Sequence, residues 1–308
     1  MTGPHGRPDR HSPVSGKVCV ITGATSGIGE ATAIELARRG AQLVLLGRSE
    51  ARCRATQERI AASTGSRATR YLTGDLASRS EVRRLADRLH QELERIDVLI
   101  NNAGALHSRR QVSPDGIELT FAVNVFAPFL LTELLLDRLR TDAPARIVNV
   151  SSEAHRGARL DLDRLGAEDA YHGYRQYARS KLALLMLTYA LSRRLQGSGV
   201  TANAVHPGFV SSGFGRNNPG FSGRGFAIAE TLFGISPERG ARTVVYAAEA
   251  PELEQRSGLF LARSRPRRSS ARSYDLPTQE RLWTIATEVT RPGPDDADPA
   301  RMASSPRL

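Results

Sequence analysis

Lysine is almost missing from this 308-residue chain: Lys17 and Lys181 are the only two, although the formal net charge is +11. The basic excess is therefore nearly all arginine. A nucleic-acid-binding chain gathers such charge on one face and interleaves aromatic residues with it. Here arginines recur along every expected helix, with the densest cluster at Arg263–Arg272. That scatter predicts a solvated surface and no nucleic-acid partner. Cysteine is equally sparse. Cys19 and Cys53 are too few for a disulfide framework, and no Cys or His spacing suggests a metal site, so no metal is expected. Long apolar runs are missing too: none approaches the roughly 18 residues of a membrane-spanning helix. The first 15 residues are polar and rich in Pro, Gly and His, without the apolar core of a secretory signal. The expectation is a cytoplasmic protein without a membrane anchor.

What is present is a regular alternation. Short apolar runs predict strands at Val18–Thr22, Gln42–Leu46, Arg70–Thr73, Val98–Asn101, Arg146–Val150, Val200–Val205 and Gly258–Leu261. Helical patterns fall between them near Ile28–Arg39, Arg52–Ala62, Ser80–Leu93, Gly116–Leu139, Tyr174–Leu195 and Pro237–Ala248. Several strands are apolar throughout, as expected where helices cover both faces of a parallel sheet. Alternation of this kind gives right-handed crossovers and an α/β, doubly wound, seven-stranded parallel sheet of Rossmann type. A single domain over residues 16–289 is expected, with disordered tails at 1–15 and 290–308 that are too polar and Pro-rich to pack. Residues 209–235 hold many Gly, Asn and Pro, yet also Phe209, Phe214, Phe221, Phe226 and Phe233. Long irregular loops in compact domains are often functional, so a flap closing over an apolar small molecule is expected there.

The first strand runs into Thr22-Gly23-Ala24-Thr25-Ser26-Gly27-Ile28-Gly29 and then a helix. Glycines in that position let the backbone turn tightly and approach a pyrophosphate resting on the helix N–H groups. Many dinucleotide folds place an acid after the second strand, where it bonds the adenosine ribose. Here Gly47 occupies that place and Arg48 follows. A guanidinium can bond a 2′-phosphate, and no carboxylate repels it, which favours NADP(H) while leaving NAD(H) open.

Tyr177 and Lys181 stand four residues apart, on one face of the expected helix. A phenol with an ordinary pKa near 10 is a poor acid–base catalyst at neutral pH. A nearby ammonium, together with the positive nicotinamide of an oxidised cofactor, favours phenolate and is expected to lower that pKa. Alone the pair is a common surface-helix pattern; downstream of a glycine loop it reads as a catalytic pair.

These residues, with Asn101-Asn102-Ala103-Gly104, Asn124, Ser151-Ser152 and Pro207-Gly208, occur in the order and near the spacing of short-chain dehydrogenases/reductases, and the chain resembles that family over about residues 17–285. The resemblance implies a hydride-transferring oxidoreductase acting on a carbonyl or alcohol. Tyr177 would be the general acid/base, Lys181 the holder of the nicotinamide ribose, Ser152 the partner of the substrate oxygen and Asn124 the anchor of a relay water. Ser152 rather than Ser151 is the family's position, and neighbouring strand side chains face opposite ways. Cofactor contacts are implied for Gly23, Thr25, Ser26, Gly27, Ile28, Gly29, Asp75, Leu76, Asn102, Ala103, Gly104, Pro207, Gly208, Val210 and Ser212. The stretch Arg146–His155, the segment Gly197–Thr201 and the 25-residue step from Ser152 to Tyr177 resemble the retinol-dehydrogenase-like branch. The resemblance also implies a homodimer or homotetramer. A non-catalytic NADP-binding regulator on the same fold is the alternative, since a fold alone never proves activity.

Overall fold

The computed structural model describes residues 12–165, 171–208 and 235–292. Their centre is an eight-stranded sheet in the order β3-β2-β1-β4-β5-β6-β7-β8. The strands are β1 (Val18–Thr22), β2 (Gln42–Gly47), β3 (Thr69–Thr73), β4 (Val98–Asn101), β5 (Ala145–Val150), β6 (Val200–His206), β7 (Phe260–Ala262) and β8 (Pro266–Arg267). Seven run parallel as expected. The eighth, a two-residue antiparallel edge, returns from β7 through Arg263 and Ser264, both at positive φ.

Flanking helices are α1 (Gly27–Arg38), α2 (Glu50–Thr64), α3 (Arg79–Glu92), α4 (Leu119–Phe121), α5 (Ala127–Thr141), α6 (Gly173–Arg194), α7 (Pro237–Glu249) and α8 (Leu276–Val289). The period-two alternation of each strand feeds two cores. Cys19, Ile21, Leu43, Leu45, Val148 and Val205 pack with Leu36 of α1 and Val244 and Val245 of α7. Val20, Val44, Leu46, Leu99, Ile147 and Ala202 face the other way, onto Leu85 and Leu89 of α3 and Leu131 and Leu135 of α5. That two-sided burial is why central strands such as β1 and β2 are largely apolar.

Three features differ from the sequence reading. The helix expected over Gly116–Leu139 begins at Leu119 and is interrupted by a π-helical turn, Ala122–Phe126, between α4 and α5. Leu119–Thr141 as a whole is long and apolar enough to cross a membrane, contrary to the expectation of no such run. However, 72% of its apolar window is buried inside the domain, as in the core helix of a globular protein. Helix α8 was not anticipated: Leu282 and Ala286 are fully buried against Leu182, Ala183 and Met186 of α6, and Trp283 meets Phe129 edge-on at 4.9 Å.

The packed body also reaches into both expected tails. Val14 is buried, and the Ser12 hydroxyl donates to Glu249. At the other end the carbonyls of Thr290 and Arg291 accept from Arg83 and Arg79.

Candidate active site

Every parallel strand points its C-terminal end the same way, and the expected site residues gather at that edge. Asn101 and Asn149 are register partners in β4 and β5, and Val150 pairs with Val205 of β6. Ser151 and Ser152 follow β5, Asn102 follows β4, and Pro207 and Gly208 follow β6.

The glycine loop is built around one threonine. The buried Thr22 hydroxyl accepts from the backbone N–H groups of Asn102 and Ala103, both at 3.0 Å. Asn102 returns the link by donating its amide to the carbonyls of Thr22 (3.0 Å) and Gly23 (3.1 Å). The loop after β1 is thus tied to the Asn102-Ala103-Gly104 segment. Gly23 (φ +63°) and Gly27 (φ +55°) hold left-handed backbone. At Gly29 a Cβ would lie 2.3 Å from the Gly23 carbonyl oxygen and 2.4 Å from the Asn102 amide nitrogen, so only glycine fits. Ser26 sits at the N-cap of α1 without capping it by its side chain. The first N–H groups of this helix therefore keep their capacity for an anionic group. Ile28 packs on the apolar core below.

Around that start lie the remaining expected contacts. Thr25 approaches Gly47 so closely that a Cβ there would come within 2.9 Å of its methyl. Arg48 is exposed just beyond. Asp75 accepts from the Ala77 N–H at 3.0 Å, which shapes the turn after β3, and Leu76 packs on the neighbouring core. A dinucleotide phosphate fits this cradle of small residues and helix N–H groups. Gly208 (φ +105°) ends the β6 segment. Val210 and Ser212, and residues 209–234 of the expected flap, lie outside the described residues.

The catalytic candidates sit on α6 and beside it. The Ser152 hydroxyl acts on the Tyr177 phenol, lowering its pKa against the effect of burial. Ser151, by contrast, is buried with its hydroxyl on the Lys181 carbonyl at 3.0 Å. The two serines do face different ways. The Lys181 ammonium lies 5.6 Å from the Tyr177 ring centroid and donates to the Val150 carbonyl at 2.8 Å. Its pKa is driven down to about 8 by burial. The Tyr177 phenol is pushed up to about 12, also by burial, with the Ser152 hydroxyl pulling weakly the other way. In the protein alone, the ammonium by itself does not lower the tyrosine pKa. Desolvation penalises both charged forms, and in this state the ammonium does not offset it.

Asn124, in the π-helical turn, is fully buried. Its Oδ1 accepts from the Ala105 N–H at 2.7 Å, and its amide donates to the Ala105 carbonyl and the Ser180 hydroxyl, both at 2.9 Å. Both amide protons are thus taken by protein acceptors. A relay water would have to meet this residue through Oδ1 or its backbone carbonyl. Ser180 completes the chain by donating to the Tyr177 carbonyl at 2.7 Å. Sequence reasoning had Thr22 only as the first residue of the glycine loop, and missed Ser180 and the Val150 carbonyl as parts of this site. It also missed His155 and His206, which flank the Ser152 turn: His206 Nδ1 accepts from the Glu153 N–H at 3.3 Å. Burial lowers the pKa of His206 to about 4. Among the described residues no group of His, Cys, Asp and Glu could hold a metal.

Comparison with known proteins agrees with this arrangement. The chain is 40% identical over 283 residues to human retinol dehydrogenase 13, spanning 90% of this chain and 85% of that protein. It is 35% identical over 290 residues to human polyprenol dehydrogenase, spanning 92% and 86%. A crystal structure of a protein from Mycobacterium paratuberculosis superposes with a TM-score of 0.72 at 32% identity, covering 92% of this chain and 97% of that one. The Pseudomonas aeruginosa RhlG/NADP active-site complex gives a TM-score of 0.66 at 27% identity, covering 81% and 96%. Residues 17–220 match the family model for short chain dehydrogenases. With its glycine cradle, its Ser–Tyr–Lys edge and these relatives, the chain belongs to the short-chain dehydrogenase family, in its retinol-dehydrogenase-like branch.

Proposed function

We propose that this protein is an NADP(H)-dependent oxidoreductase that interconverts a carbonyl and an alcohol on an apolar or aromatic small molecule, with Tyr177 as general acid/base. The observation that carries the reading is the Lys181 ammonium 5.6 Å from the Tyr177 ring, held by the Val150 carbonyl just before Ser152, at the sheet edge that also bears the glycine cradle. When bound, the nicotinamide supplies or accepts the hydride. The protein's share is to hold the dinucleotide phosphates at the start of α1, hold the substrate oxygen at Ser152, and move one proton at Tyr177 Oη. With its pKa held high the phenol stays protonated at neutral pH, the form that donates to an oxygen gaining charge during reduction. The apolar substrate class rests on the phenylalanines of residues 209–235 and on relatives named for retinol and polyprenol.

The test is a panel of benzaldehyde, citral, decanal and retinal with NADPH, read at the nicotinamide absorbance. Turnover is expected on one or more of these. Tyr177→Phe keeps the ring and removes the proton, and should cut kcat by about 10²–10⁴-fold while NADPH binding survives. A Tyr177→Phe protein with near-normal turnover would overturn the catalytic assignment.

A further inference from the structure

The turn that carries Ser152 is held by an imidazole that the hydride-transfer reading does not use. His155 is fully buried, two residues beyond the 3-10 turn's first position, and packs edge-on against Phe260 of β7 at 5.0 Å. Its Nδ1 lies 2.6 Å from the Ser152 carbonyl oxygen, and its Nε2 lies 3.1 Å from the Ser270 backbone nitrogen. A carbonyl only accepts and a backbone N–H only donates. Nδ1 must therefore carry the proton and Nε2 the lone pair, which fixes one neutral tautomer. Burial agrees, since it holds the imidazole below its ordinary pKa, opposed in part by the Ser152 carbonyl.

The far end of this bridge is itself tied down. Ser269 shares hydrogen bonds with Tyr189 of α6 (2.7 Å) and with Ser273 (2.6 Å), and the Ser269 N–H donates to the Tyr274 hydroxyl at 3.1 Å. Arg156, next to His155, donates to the Arg268 carbonyl at 2.7 Å. On the near side, the Ser152 hydroxyl accepts from the Ala154 N–H at 3.2 Å, so its lone-pair direction depends on where the turn sits. One buried ring thus connects the backbone of Ser152 to a segment, residues 268–274, which is also bonded to the helix carrying Tyr177 and Lys181.

We infer that His155 is a positioning residue: its Nδ1–H holds the Ser152 carbonyl, and through it sets the Ser152 hydroxyl against Tyr177, while Nε2 anchors the pair to the C-terminal segment. This rests on the proposed role of Ser152 and deepens it. Two isosteric variants separate the halves of the bridge. His155→Asn keeps a donor at the Nδ1 position and loses the acceptor toward Ser270; His155→Gln keeps an acceptor at the Nε2 position and loses the donor toward Ser152.

The experiment measures kcat and KM, on whichever panel aldehyde turns over fastest, for Ser152→Ala, His155→Gln, His155→Asn and the double variant Ser152→Ala/His155→Gln, each normalised to folded protein by NADPH binding. Expected are a loss of kcat of about 10-fold for His155→Gln, a change within about 3-fold for His155→Asn, and KM unchanged in both. The double variant should be no slower than Ser152→Ala alone, because a positioning residue acts only through its target. Normal kcat in His155→Gln, equal losses in Gln and Asn, or multiplying losses in the double variant would each overturn the inference. Normal kcat in Ser152→Ala would overturn the underlying role of Ser152 instead, a distinguishable result. An activity-independent measurement stands beside these: ¹⁵N NMR of His155 at pH 7.5 should show the neutral Nδ1–H tautomer. The Nε2–H tautomer or an imidazolium there would also sink it.

Discussion

Lys181 is the residue whose chemistry departs furthest from an ordinary surface lysine. An ammonium is strongly hydrated, and here burial strips that water and leaves one carbonyl, Val150, at 2.8 Å. Its pKa falls to about 8 as a result. The near absence of lysine makes this directly measurable, because ¹³C-lysine labelling should give only two ε signals. The signal lost in Lys181→Met should titrate near pH 8 in cofactor-free protein; a midpoint above 10 would show that the ammonium is solvated. The folded-state value lies below the unfolded one, so the unfolded chain binds more protons between about 8 and 10.5. Stability attributable to this group therefore rises with pH across that window and is reduced below it. Arg48 belongs to the same scale. It is exposed after Gly47, with no acid at that place, so a 2′-phosphate can reach it without crossing a carboxylate. NADPH should bind better than NADH by about 10–100-fold, the worth of one charge-assisted contact. Arg48→Ala should erase most of that difference without weakening NADH, as measured by fluorescence titration of both nucleotides. Equal affinities in the unaltered protein would remove Arg48 from the site.

At the scale of elements, what was legible in the sequence is what local chemistry determines. The glycine loop could be read because Gly23, Gly27 and Gly29 are required by backbone angle or close approach within a few residues of one another. The central parallel strands could be read because burial on both faces leaves little polar alternation, whereas edge strand β3 keeps Arg70 exposed. Contacts across the fold left no local trace: nothing near Val150 marks its carbonyl as the partner of Lys181, and His155 gives no sign of meeting Ser270. The raised pKa of Tyr177 in the protein alone was not legible for a related reason. Spacing puts an ammonium one turn away, but spacing does not report how much water both groups lose. Helix α8 is a different kind of miss. Its signals were present in the Asp275 cap, Pro277 in the first turn and the Leu282, Ala286, Val289 stripe, yet the stripe is short and follows an irregular arginine-rich stretch. Its burial against α6 predicts that Leu282→Ala costs about 2–5 kcal/mol in urea unfolding. A loss under about 1 kcal/mol would mean that α8 is not integral to the fold.

For the molecule as a whole, two groups of arginines stand out. Many arginines are absorbed by carboxylates. Arg38, Arg54, Arg84 and Arg88 pair within their own helices, while Arg39 with Glu249, Arg59 with Glu30, and Arg193 and Arg194 with Glu280 join different elements. Exposed pairs of this kind are worth roughly 0–1 kcal/mol each, but they neutralise the local field. The second population is the exposed edge around β8, where Arg263, Arg265, Arg267 and Arg268 have no ion pair among the described residues. Exposed Arg48, Arg52, Arg67 and Arg175 likewise make no ion pair among the described residues, so the β8 edge is a dense patch within a wider scatter. If the distribution governs anion binding, replacing those four by Gln should lower the salt needed for heparin elution more than replacing Arg38, Arg54, Arg84 and Arg88 does. The edge variant should keep its unfolding midpoint, since exposed substitutions away from structural features usually change stability by less than about 0.5 kcal/mol each. Duplex DNA binding by the unaltered protein should stay in the non-specific range of about 10⁻⁴–10⁻⁶ M and fade as salt rises, because one arginine edge neutralises few phosphates. Equal elution shifts in the two variants would show that net charge alone sets anion affinity and that the β8 edge has no separate electrostatic identity.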